Sequence, residues 1–145
     1  MTAPERGAPD EAAVTAYILE TFEGVDTVVA GGGRFFSIDP EKHWPNFATI
    51  VTTDEFDDFS DLDHPGVYRL NIGVGRATFD ALFEPGTEHD FTARDRLFPH
   101  PVYGKQRWVS VIDPSRATFD EILKPLLDEA YRILADRRAR RPTAD

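Results

Sequence analysis

Apolar residues keep a helical period near both ends of the chain and a two-residue period in between. After Pro9, Asp10 has the side chain of an N-cap, and Val14, Tyr17, Ile18 and Phe22 recur on one face of a helix that Gly24 ends. Near the other end, Phe119, Ile122, Leu123, Leu126, Leu127, Ala130, Tyr131 and Leu134 form a longer stripe, opened by a capping box of Thr118 and Glu121. Pro125 interrupts it, which predicts either a kinked helix or a turn with the helix restarting there. Between these helices lie short runs of strand character. Val25–Ala30 and Arg34–Ile38 flank Gly31-Gly32-Gly33 and read as a hairpin, and Phe47–Thr53 is a third strand. In Val67–Ile72, Val67, Arg69 and Asn71 face one way while Tyr68, Leu70 and Ile72 face the other. Arg107–Ile112 is the fifth strand, with Trp108, Val109 and Val111 contributing to the core; alternation sends one of the three to the opposite side.

Segregated helices and strands predict an α+β fold: one compact domain over residues 9–138, with an antiparallel sheet of about five strands and both terminal helices on one face. Residues 1–8 and 139–145 are expected to be disordered ends. A short helix is expected over Ala77–Phe83 and one helical turn over Phe91–Leu97, within the long 84–106 connection. The pentapeptide RATFD occurs at Arg76–Asp80 and again at Arg116–Asp120, which implies two similar strand-to-helix transitions.

Charge narrows the function classes. The 145 residues carry 26 acids against 16 Lys and Arg, a formal net charge of −10. Phosphate binding wants a basic face, and the only basic cluster, Arg137–Arg141, suits a solvated helix end, so nucleic acid is disfavoured as a partner. There is no cysteine, hence no disulfide framework or thiolate zinc site. No apolar run approaches the roughly 20 residues of a membrane span, and the N-terminus lacks signal-peptide character, so the chain reads as cytoplasmic. The sequence is silent on oligomeric state.

Four stretches carry candidate chemistry. The triple glycine is not followed by the lysine and serine of a phosphate loop, and Gly73-Val74-Gly75 has Thr78 where a dinucleotide site needs a third glycine. No cofactor is implied. Asp57, Asp58, Asp61, Asp63 and His64 offer oxygen and imidazole ligands without the spacing of a calcium loop, so the stretch reads as a solvated acidic loop and no metal is assigned. Leu97–Ile112, LFPHPVYGKQRWVSVI, is the most informative. Two prolines hold Phe98 and His100 extended, and Phe98, His100, Tyr103, Lys105, Arg107 and Trp108 cluster on a loop feeding a strand, as ligand-binding groups do. His100 is the one acid–base candidate, with Asp95 or an acid of the 57–63 loop to orient it.

The stretches FATIVTTDEFDDFSDLDHPGVYRLNIGV, FTARDRLFPHPVYGKQRWVSVIDPS and TFDEILKPLLDEAYRIL resemble an uncharacterised domain-of-unknown-function family of high-GC bacteria. The order of elements, with the basic-aromatic KQRWVSVI and the EAY ending, is also similar to the MmcQ/YjbR-like proteins. That similarity implies a compact α+β fold and a double-wing DNA-binding surface, from which the acidity of this chain departs. The leading expectation is therefore a small-molecule-binding domain with its pocket under the 97–108 loop. The alternatives are an enzyme using His100 as acid or base in small-molecule, including secondary-metabolite, chemistry; a nucleic-acid-binding protein; and an acidic module for a basic protein partner.

Overall fold

The computed structural model describes residues 7–39 and 45–140. Helix α1 (Glu11–Thr21) starts where Asp10 accepts a hydrogen bond from the Ala13 amide at 2.8 Å. Strands β1 (Asp26–Ala30), β2 (Gly33–Ser37), β3 (Asn46–Val51) and β4 (Arg69–Gly73) follow, then helix α2 (Arg76–Leu82). Next come β5 (Phe98–Pro99), a 3₁₀ turn (Gly104–Gln106) and β6 (Trp108–Ile112). The C-terminal helix comprises α3 (Arg116–Thr118), a π-helical segment (Phe119–Leu123) and α4 (Lys124–Arg140). All named strands pair antiparallel in one sheet of order β1-β2-β3-β4-β6-β5. The β1–β2 hairpin turns on Gly31 and Gly32, both at positive φ as a tight primed turn requires.

The helices cover one face of this sheet. Val14, Ile18 and Phe22 from α1 and Phe119, Leu123, Leu127 and Ala130 from the C-terminal helix share one buried cluster with Phe36, Ala48, Ile50, Leu70, Ile72, Val109 and Val111. The two helices touch directly, the rings of Tyr17 and Phe119 meeting edge to face at 5.4 Å. The opposite face is covered by the 54–67 and 84–107 loops. It holds a smaller apolar cluster of Val51, Leu62, Val67, Phe98 and Ile112, and beside it the polar groups described below.

Several expectations are corrected. The Phe98-Pro99 pair adds a sixth strand at the sheet edge, opposite Ser110 and Val109. Arg107 lies outside β6: at φ 67° it ends the 3₁₀ turn in a left-handed conformation. Trp108 is half-buried on the loop-covered face, so the core takes Val109 and Val111 but not the indole. Phe91–Leu97 forms turns and an isolated bridge from Arg94 to Ile112 in place of a helical turn. The C-terminal helix is capped by Ser115, whose side chain accepts from the Thr118 amide, and not by Thr118. Pro125 holds to its second expectation: regular α-helix restarts beside it, α4 beginning at Lys124 after the π-helical segment. Its ring would meet the Glu121 carbonyl in a regular α-helix; the π turn ahead of it, where the Lys124 amide bonds to Phe119 O, relieves that clash. Both RATFD segments begin helices, each directly after one of the adjacent strands β4 and β6. Residues 1–6 and 141–145, most of the expected disordered ends, lie outside the described residues, and α4 continues through Arg140.

Candidate functional site

Strand register decides which polar side chains meet on the loop-covered face. Phe35, Thr49, Asn71, Ser110 and Phe98 stand in one row across β2, β3, β4, β6 and β5. Val51, Arg69 and Ile112 form the next row. The middle of the first row is a hydrogen-bonded ladder. Asn71 donates to Thr49 Oγ1 at 3.0 Å, and its Oδ1 accepts from Ser110 Oγ at 2.7 Å and from Arg69 Nε at 3.0 Å. Pairing of β2 with β3 shifts by one residue between Phe36 and Ser37, leaving Phe47 as the extra residue. That bulge turns Phe47 into the helix-covered core and Asn46 toward the ladder side.

Arg69 is the centre of the site. Its side chain is 1% exposed, a cost offset by the bonds that its Nε, Nη1 and Nη2 make to Asn71, Ser60 and Asp57. It forms a two-pronged pair with Asp57, Nη1 to Oδ1 at 3.0 Å and Nη2 to Oδ2 at 2.7 Å, and Nη1 also donates to Ser60 Oγ at 3.0 Å. Asp57 is therefore not part of a solvated loop as expected; it folds inward while its neighbours Glu55, Phe56, Asp58 and Phe59 stay exposed. Burial alone would raise the Asp57 pKa. The hydrogen bonds and charge of Arg69, with the Phe59 amide, outweigh it and hold the carboxyl below its ordinary value. The rest of the acidic loop is folded on its own aspartates, Asp54 accepting from the Leu62 amide and Asp63 from the Asp54 amide. Among the described residues no group of three or more His, Asp and Glu is placed to hold a metal ion.

His100 reaches the same place from the loop. The Pro99-His100-Pro101 backbone is tied to β6 by the His100 amide donating to Trp108 O at 2.9 Å, and closed by the Gly104 amide donating to His100 O at 2.9 Å. Its ring Nδ1 accepts from the amides of both Val102 and Tyr103 at 3.0 Å. The ring is buried, and Nε2 lies 3.4 Å from Arg69 Nη2. Burial and the Arg69 charge push the His100 pKa down to about 4, against a smaller opposing pull from Asp57. The imidazole is thus neutral at physiological pH. The carboxylate that acts on it is Asp57, across Arg69, whereas Asp95 instead accepts from the Ser115 amide.

Above this polar floor is a cavity of about 470 Å³. Phe35, Val51, Phe56, Val102, Tyr103 and Trp108 provide apolar walls; Asn46, Thr49, Asp57, Arg69, Asn71, His100 and Gln106 provide polar groups. Gly33 and Gly73 make room for two of the walls: a Cβ on Gly33 would lie 2.9 Å from the Phe56 ring and one on Gly73 3.0 Å from the Trp108 indole. Of the six ligand-site residues expected from sequence, His100, Tyr103 and Trp108 line this cavity. Phe98 is buried in the small apolar cluster beneath, and Lys105 and Arg107 do not line the cavity. The sequence pointed to Asp57 only as one acid of the 57–63 loop, and it did not reveal Arg69, Asn71 or the β2–β3 contributions. The one available signal was Arg69 and Asn71 alternating with core residues in a strand, a polar pair on what becomes a covered face.

No curated protein and no solved structure matches the chain at a significant level. The model of one family matches residues 9–143, nearly the whole described region, and the chain thereby belongs to that family, a family of unknown function (DUF6194).

Proposed function

We propose that this protein is a small-molecule-binding domain whose site is the cavity between the sheet and the 100–108 loop. The observation that carries the reading is the joint presence of about 470 Å³ of space, aromatic walls and a desolvated Asp57–Arg69–His100 floor. Ligand sites combine such apolar walls with a few fixed polar groups, and the volume falls in the range typical of them. The reading includes a cytoplasmic location; no helix among the described residues is long and apolar enough to cross a membrane.

The other readings draw less support. A general base at neutral pH needs a pKa near 7, whereas His100 titrates at about 4 and its Nδ1 already holds two amides. A nucleic-acid surface, implied by the MmcQ/YjbR similarity, would use Lys105 and Arg107 on a chain of net charge −10. The test is a fragment screen by ¹H–¹⁵N NMR on the wild type and a Trp108→Ala variant. Hits should shift the Val102, Tyr103 and Trp108 signals and weaken in the variant; shifts confined to other surfaces would sink the reading.

A further inference from the structure

The hydrogen-bond inventory of His100 fixes its tautomer. Both amides of Val102 and Tyr103 donate to Nδ1, so Nδ1 carries no proton and, in a neutral ring, Nε2 must. The 3.4 Å contact between Nε2 and Arg69 Nη2 then joins two donors and is not a hydrogen bond. Nη2 spends one hydrogen on Asp57 Oδ2 and directs its second toward Nε2, so Nη2 and a protonated Nε2 face each other as two donors with no acceptor between them. Both residues line the cavity, and His100 is 7% exposed. Buried donors left unpaired are costly, so this pair is suited to receive an acceptor.

We infer that the cavity takes a flat, aromatic molecule bearing a trigonal oxygen, of the carbonyl or carboxylate class, with that oxygen accepting from His100 Nε2 and Arg69 Nη2 together. The inference rests on the small-molecule reading above. Two nitrogens 3.4 Å apart can both reach one oxygen at an ordinary hydrogen-bond length of about 2.9 Å. Phe35, Phe56, Tyr103 and Trp108 supply walls suited to a ring system. Charge limits the class further. Asp57 neutralises Arg69, and Glu55 and Asp58 are exposed close by in sequence, so a phosphate-like dianion is disfavoured while one carbonyl or one carboxylate is accommodated. A cationic group of the same shape would meet two donors head-on.

The experiment uses three probes on one ring: 2-naphthamide, 2-naphthoate and 2-naphthylmethylammonium. Binding is followed by the Val102 and Tyr103 amides and the Trp108 indole NH. The expected result is binding of the amide, the carboxylate or both, with the ammonium at least tenfold weaker. Equal binding of all three would overturn the acceptor inference and leave the small-molecule reading standing. No perturbation of these signals by any probe would take down both. The amide and carboxylate arms separate a neutral carbonyl from an acid. His100→Asn keeps an oxygen to accept the Val102 and Tyr103 amides and removes the Nε2 donor; it should weaken the best probe about tenfold, and unchanged affinity would count against the cradle. Independently of any variant, long-range ¹H–¹⁵N correlation on the wild type should show protonated Nε2 and bare Nδ1. The reverse tautomer would make Nε2 an acceptor for Arg69 and overturn the inference.

Discussion

Arg69 and its two neighbours make the loop-covered face sensitive to acid. His100 has a folded pKa of about 4 against an ordinary 6.5, so the unfolded chain binds a proton that the folded chain refuses. Its contribution to stability is complete above about pH 6.5 and is lost as pH falls toward 4. Asp57, also lowered, adds a second loss below its ordinary 3.8. Denaturation at a series of pH values should therefore show stability falling well above the carboxylate range, and His100→Asn should flatten that part of the curve. Removing one partner of a buried ion pair leaves the other charged and alone, so Asp57→Ala should cost about 3–5 kcal/mol in chemical denaturation. Trp108→Ala should cost less than the roughly 3–5 kcal/mol of a fully buried aromatic, because half-buried Trp108 lines a cavity. At this scale the sequence was legible only in part. His100, Tyr103 and Trp108 stood out because prolines and aromatics crowd one loop. Arg69 did not, since a lone arginine in VYRLNI is usually solvent-facing, and only the Asp57 partner 12 residues away makes its burial tolerable.

Elements were read more faithfully than their ends. β-Branched runs, the glycine turn and alternation located five of the six strands, and helical periodicity both long helices, because most of these elements turn one face to the same core. What periodicity could not resolve were competing local bonds. Ser115 and Thr118 both offer a hydroxyl at the start of the C-terminal helix, and Ser115 Oγ takes the Thr118 amide at 3.2 Å. Ser115→Ala should thus cost about 1 kcal/mol by thermal denaturation, the usual price of an N-cap. The π turn before Pro125 has no sequence period at all. The bulge at Phe47 is equally silent, and yet it selects which face Asn46 joins. Gly73 is a further element-scale test. Its Cβ would press on the indole at 3.0–3.1 Å, so Gly73→Ala should displace Trp108 and shift its fluorescence while the β4–β6 pairing persists.

For the whole molecule, the separated α and β patterns were enough to reach an α+β domain with helices on one face. The ordering of the sheet was not, because β5 consists of two residues, one of them a proline. The helix-covered core joins the beginning and end of the chain: Tyr17 meets Phe119, and Tyr131 donates to Glu23 O at 2.7 Å across 108 residues. Contacts of such sequence separation close late and slow folding, toward the millisecond-to-second range. During synthesis, Phe36, Phe47, Ile50 and Leu70 emerge from the ribosome well before the helix that covers them. Nascent chains arrested at Asp113 should accordingly be protease-sensitive and bind hydrophobic-surface chaperones, and release through residue 140 should end both. Protection already complete at Asp113 would mean that the sheet stands without its C-terminal helix. The late arrival of one helix thus predicts that the newborn chain is a chaperone client until the segment through Arg140 has left the ribosome.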